Sequence, residues 1–335
     1  MRFALALAAL FLATPVAAMD CAGRDLMAAL PQEKRAEIDA ATAKVPYHRG
    51  LIWHAIKGKM QATIVGTYHF DDPRHAATLD RLTPDLAAAA FLLVEAGPKE
   101  EAALAQSMAS DPNRLITTEG PTLPERMTPK DWAQLSDEMT QRGIPGVMAA
   151  KMKPWYVSVV LGISPCVSRL LATEGGGHGL DKQLIERAQG QGLPIRALEP
   201  WDTIFTLFEG LTPEEEIEML RTSLPIAKYA DDYTTTLANA YFSGDVWRIW
   251  EFGRFDAYEN SGLDRKTVDA QFRLAEDMLM EQRNRNWIQP INTAAAEAAA
   301  GNKAILVAFG ALHLPGEQGV LRLLEKDGWT VTPAP

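Results

Sequence analysis

Apolar positions along this chain gather into a few short unbroken runs, separated by longer stretches with helical spacing. "GLIWHAIKG" and "MQATIVGTYHF" read as two strands joined through Lys57, Gly58 and Lys59, a hairpin signal. "LTPDLAAAA" predicts a helix capped by Thr83 with Pro84 in its first turn, running into "FLLVEAG", a buried strand that ends at Glu95. "EEAALAQSM" and "TPKDWAQLSDEMTQRG" return to helical spacing, the second starting at Thr128 and Pro129. "GLDKQLIERAQGQG" predicts a helix with Asp181 near its start and Gly190 or Gly192 at its end. The short strand "LPIRALEP" comes next and ends at Glu199. Helical pattern then dominates residues 201–300, with a capping box from Thr212 to Glu215. "KAILVAFGALH" is the most apolar strand, and "VLRLLEKDG" and "WTVTPAP" finish the chain as a helix and an edge strand.

Helix-then-strand order recurs at residues 83–95, 181–199 and 291–313. That order predicts an α/β fold with a central mixed, largely parallel sheet built from two related halves. Fully apolar runs such as "AILVAF" suit strands covered on both faces. The helical stretches at about 100–170 and 201–300 are expected as insertions that cap the active-site face of a single domain spanning 19–335.

The first eighteen residues, "MRFALALAALFLATPVAA", place one Arg before an apolar stretch and small residues before a cut after Ala18. This is the pattern of a secretory signal peptide, so a periplasmic or secreted protein without a membrane anchor is expected. Cleavage leaves 317 of the 335 residues, and the formal charge of −10 becomes one unit more negative with the loss of Arg2. An acidic surface argues against nucleic acid or an anionic membrane as partner. The two cysteines, Cys21 and Cys166, form an even pair that reads as a disulfide in an oxidising compartment, two buried free thiols being the alternative.

Parallel sheets carry their reactive groups beyond the C-terminal ends of the strands. Four side chains occupy such positions: His69, Glu95, Glu199 and His313. Glycine stands three residues before each histidine, Gly66 and Gly310, where it lets the backbone leave the strand tightly or another group approach closely. Two imidazoles with a carboxylate suit a divalent metal that activates water, and a second carboxylate can take the proton. Zn, Mn and Co suit such donors equally. "EGGGHGLD" lacks the ending of a phosphate loop and reads as a flexible loop into a helix. Asp181 is there either a plain cap or, with His178, part of the cleft rim. In "QRNRNW", Arg283 is either on a solvated helix face or over the cleft, orienting a substrate carboxylate or oxyanion. His48, His54 and His75 have no evident partners in sequence, and no GxSxG is present to support a serine triad.

"GTYHFDDPR", "LLVEAG", "HGLDKQLIERAQGQGLPIRALE", "RNRNW" and "VAFGALHLPGEQGVLRLLEKDGW", in this order, resemble the TraB/GumN family. That family includes the Tiki metalloproteases and is related to erythromycin-esterase-like and ChaN-like proteins. The resemblance runs from about residue 45 to the C-terminus. It implies an α/β fold of two related halves with one GxxH each, on Gly66 and His69 and on Gly310 and His313. It also carries the family's strand-end acids to Glu95 and Glu199, its Gly-x-Asp to Gly179 and Asp181, and its Arg-Asn pair to Arg283 and Asn284.

These readings together lead to the expectation of an exported, divalent-metal-dependent hydrolase acting on peptide bonds or another small substrate. His69, His313 and Glu95 would hold the metal, Glu199 or Asp181 would assist, and Arg283 would orient substrate. Gly66, Gly310, Asn284 and His178 would support them. The alternative is a non-catalytic periplasmic binder of haem, a peptide signal or a polysaccharide fragment.

Overall fold

Six of the apolar runs pair into one sheet: β1 (Ile52–Lys57), β2 (Met60–Thr67), β3 (Ala89–Val94), β4 (Ile195–Ala197), β5 (Ala304–Gly310) and β6 (Thr330–Pro333). The structure is a computed structural model that describes residues 21, 23–174 and 178–334. The expected leader, residues 1–18, and the glycine run at 175–177 lie outside the described residues. Strand order is β4-β3-β5-β2-β1-β6. Neighbours from β4 to β2 are parallel, whereas β1 runs antiparallel to both β2 and β6. The fold is therefore the mixed, mostly parallel α/β sheet read from the chain. The β1–β2 hairpin pairs Lys57 with Met60, and Gly58 makes the turn at a φ of 61°.

Period-two alternation along β5 sorts its side chains between two cores. Ile305, Val307 and Phe309 pack with Trp287, Ile291 and Ala295 from the helix Gln282–Ala300 and with Leu321 and Leu324 from the helix Val320–Lys326. Leu306 and Ala308 pack with Leu79, Leu82 and Leu86 from the helix His75–Ala88 and with Leu184 and Ile185 from the helix Leu180–Gly190. Helices thus cover both faces, which is why the central strands carry no polar face.

The helix His75–Ala88 begins earlier than the proline signal predicts. Pro84 lies inside it, and Thr83 donates its hydroxyl back to the Leu79 carbonyl (3.0 Å) instead of capping. Three leucines buried on the sheet outweigh the one backbone hydrogen bond that proline forfeits. The three histidines without evident partners do acquire them: His75 is buried with Nε2 2.9 Å from the Phe70 carbonyl, His48 approaches Asp245 at 3.3 Å, and His54 approaches Asp85 at 3.7 Å.

The helical stretches form a lobe with cores of their own. Leu135, Met139, Val157, Leu161, Leu220 and Leu224 make one; Met27, Ile38, Ala240, Phe252 and Phe255 make another. Arg142 is buried beside Glu138 (2.8 Å) and also donates to the carbonyls of Ile163 and Leu161. Cys21 and Cys166 form a disulfide with their Cα atoms 5.5 Å apart. Next to it the Gly23 N–H donates to Thr235 (2.7 Å) and the Leu26 N–H to Thr236 (2.8 Å), so the N-terminal segment is fastened along the helix Ala230–Phe242. Among the described residues no single helix is long and apolar enough to cross a membrane.

The bridge closes a loop of 145 residues, so in the chain-entropy picture it restrains the unfolded state by about 5 kcal/mol. Urea unfolding of the Cys21→Ser/Cys166→Ser protein should show a loss of several kcal/mol against the oxidised parent. Coincident unfolding curves would contradict this.

Candidate active site

The register of the central strands builds the site. Thr67 of β2 lies opposite Gly310 of β5, and Val94 of β3 lies opposite both Ala308 of β5 and Ala197 of β4. Four parallel strands consequently end at one edge, and His69, Glu95, Glu199 and His313 stand just beyond them there. Both glycines of the GxxH pairs are set by close approach. A Cβ on Gly66 would lie 2.6 Å from Leu314 Cδ1 and 2.9 Å from Ala311 Cα, blocking the short 3-10 turn Ala311–His313 from crossing β2. A Cβ on Gly310 would stand 3.2 Å from both Glu95 Oε1 and His69 Nε2, and 3.6 Å from His313 Cδ2. The space over Gly310 is thus where both rings and the first acid meet.

Asp181 enters by a third close approach. A Cβ on Gly179 would lie 2.3 Å from the His69 carbonyl carbon, and the Leu180 N–H donates to the Tyr68 carbonyl (3.0 Å). The helix therefore starts against the His69 backbone, leaving Asp181 Oδ1 3.2 Å from His69 Nδ1. No side chain caps this helix, so Asp181 is not a plain cap; its carboxylate faces His69. His178 is not gathered in; it bonds Glu186 at 2.9 Å. Asn284 donates its amide to the Gln318 carbonyl (2.9 Å), which turns its oxygen to His313 Nδ1 at 2.6 Å. The hydrogen-bond network therefore assigns hydrogen to Nδ1 of His313 and a lone pair to Nε2.

Arg283 sits among the remaining groups with its side chain only 16% exposed. Its Nε donates to Glu199 Oε2 (2.9 Å), and its Nη2 donates to Glu199 Oε1 (2.7 Å) and to Glu95 Oε2. Its Nη1 donates to the Leu279 carbonyl (3.1 Å) and faces His313 Nε2 (3.3 Å). Five N–H donors thus meet five protein acceptors. Arg283 is therefore not on a solvated helix face, and its hydrogen bonds hold the two acids and the ring and leave none over for a substrate. Trp287, one turn along, donates to Glu199 (3.2 Å) and packs against the His313 ring, centroids 4.5 Å apart and planes tilted by 42°. Its position in "RNRNW" is the only sequence signal for that role. Tyr241, whose hydroxyl bonds the Gly66 carbonyl (2.9 Å), gave no local signal.

These contacts separate the protonation states. Burial works against charge on Glu95, but His313, Arg283, His69 and the Gly310 N–H outweigh it and hold the carboxyl down to about 2. Burial lowers His313 to about 3, against the pull of Glu95, so the ring is neutral and the charge that holds Glu95 at neutral pH comes from Arg283 and His69. Desolvation opposes charge on His69 too, although its side chain is 56% exposed, yet the hydrogen bond and charge of Asp181, with Glu95 behind, raise it to about 9.

The donors suit a divalent metal in kind. Each imidazole has Nδ1 tied to an oxygen, Asp181 or Asn284, as metal-binding histidines commonly do. Formal charges agree: Glu95, Glu199 and Asp181 against Arg283 and protonated His69 leave one negative charge, and a divalent ion in place of the His69 proton leaves none. Among the described residues, however, no three His, Cys, Asp or Glu side chains are gathered into a ready cage. Arg283 covers the faces of Glu95 and His313 that such a cage would use.

A mixed, mostly parallel α/β sheet thus gathers two histidines, three acids and an arginine beyond the C-terminal ends of its parallel strands. The model of the TraB/PrgY/gumN family matches residues 51–333, and the chain belongs to that family. No curated protein and no solved structure matches it.

This cluster makes two measurable demands on stability. Glu95 and His313 give stability that is complete above about 4.5 and 6.5 and is lost as pH falls toward 2 and 3. His69 gives stability that is complete below 6.5 and is lost as pH rises through 9. Unfolding free energy should therefore peak near pH 6.5, and His313→Gln should flatten the slope between pH 4.5 and 6.5; an unchanged slope in that variant would count against the buried neutral ring. Arg283→Met should lower stability by about 3–5 kcal/mol by leaving the acids without their cation. Added Mn²⁺ or Zn²⁺ should restore part of the loss in a thermal melt, and equal melting temperatures for variant and parent would contradict the arrangement.

Proposed function

We propose that this chain is an exported hydrolase of peptide bonds that works with a divalent metal in the cleft over Gly310. The observation behind it is the convergence of His69 Nε2, Glu95 Oε1 and His313 on that one glycine. His69, Glu95 and His313 would hold the ion, which when bound lowers the pKa of water and polarises a carbonyl. Asp181 and Asn284 fix the two rings. Glu95, held near 2, is a poor base at neutral pH and serves as an anionic donor. Glu199 is engaged with Arg283 and Trp287. Asp181, beside His69, would be the acid left to take up a proton when water is activated. Export rests on the leader pattern and is consistent with the disulfide.

Full engagement of Arg283 favours a second reading, a binding protein without turnover, in which the cluster is a closed structural knot. A screen of peptides with the mature protein, with chelator and then with Zn²⁺, Mn²⁺ or Co²⁺ restored, separates the two. Under the hydrolase reading chelation abolishes cleavage and metal restores it. His69→Ala and His313→Ala should each lose about 100-fold or more in kcat/KM, while elemental analysis shows metal in the parent and less in each variant. Parental rates in both variants would end the proposal, and saturable peptide or haem binding without cleavage would replace it.

A further inference from the structure

The helical lobe forms a half-open pocket of about 1000 Å³ that none of the site residues lines. That is the upper end of the volume range of small-molecule sites, roughly 300–1,000 Å³. Its walls are apolar and aromatic, including Trp250, Phe252, Phe255, Phe272, Met278 and Leu279. Tyr229 and Leu274, both unusually exposed for large apolar side chains, belong to the same lining. Charged groups in the lining are Glu215, Glu218, Asp256 and Glu259 against Lys34 and Lys228. Lys34 is already paired with Glu259, and Lys228 lies 4.7 Å over the Tyr229 ring.

We infer that this cavity binds a small amphiphile with a long apolar chain and a cationic head. The aromatic walls take the chain out of water, where burial is worth about 25 cal/mol per Å². The excess of carboxylates at the lining favours a positive head over a negative one. Met278 and Leu279 belong to a π-helical turn, Asp277–Glu281, and the Leu279 carbonyl accepts from Arg283 (3.1 Å). Leu279 therefore both lines the pocket and lends its carbonyl to the site arginine. π-turns recur at functional sites because they displace a helix from its regular spacing.

Gly253 supplies the test. A Cβ there meets only Phe272, at 3.8 Å, so a side chain can grow into the cavity without strain. The neutral fluorophore N-phenyl-1-naphthylamine should bind the mature protein saturably, and dodecyltrimethylammonium should displace it at concentrations at least tenfold below those of dodecanoate. Gly253→Leu should weaken binding of the fluorophore tenfold or more with an unchanged or higher melting temperature. Ala275→Phe fills the cavity from another helix and should do the same should Gly253→Leu fail to fold. Absence of saturable binding, or parental affinity in a folded filled variant, overturns the cavity assignment. Displacement by dodecanoate at equal or lower concentration overturns the cationic head. None of these readouts depends on hydrolysis, so they stand apart from the fate of the metal.

Discussion

Two carboxylates and a neutral imidazole share a half-buried corner of this protein because one guanidinium lies among them. Glu95 and Glu199 have side chains 19% and 12% exposed, and Arg283 is the cation that both of them bond. Lysine could not replace it. The planar fork meets Glu199 through two parallel N–H bonds, reaches Glu95 with a third and still covers His313 and Leu279. The C-terminal ends of β3, β4 and β5 are joined through this residue of a helix far away in the chain, so the positions of the acids depend on the packing of the helix Gln282–Ala300 against the sheet.

Close backbone approach is the second constraint, and it explains why glycine recurs near the histidines. Gly66 admits the turn after β5, Gly310 leaves open the space between the rings, and Gly179 lets a helix start on the His69 carbonyl. Each is a packing requirement set by a distant segment, and each orients a ring through that segment. His69 is aimed by Asp181 and His313 by Asn284, so the rings are fixed before any ligand arrives.

Strand ends were legible in the sequence because unbroken apolar runs can hardly be anything but covered strands, and the residues just past such strands fall on one edge of a parallel sheet. His69, Glu95, Glu199 and His313 could be found that way. The partners of the histidines could not be read from local pattern alone. Asp181 looks equally like a helix cap, and only the contact of Gly179 with His69 removes that ambiguity. The start of the helix His75–Ala88 is obscured in the sequence because Pro84 is a strong local signal, whereas the burial that overrides it comes from strands far along the chain. Arg283 was visible as a candidate, but five acceptors drawn from β3, β4, β5 and its own helix are a property of the assembled fold.

The lobe was legible only as helical periodicity, and its hollow interior shows why pattern alone falls short. Aromatic spacing in Trp250, Phe252 and Phe255 reads as core in any helix, and Phe252 and Phe255 are indeed buried in one. Whether such faces close on each other or stand apart is decided by the bends and breaks between helices. Here the N-terminal segment, held by the disulfide and by Thr235 and Thr236, forms part of the wall through Leu26 and Leu30, while the π-turn forms another part through Met278 and Leu279. The disulfide thus shapes the lobe at one end and Arg283 is tied to it at the other. The lobe and the acids meet at Leu279, which lines the pocket and gives its carbonyl to Arg283.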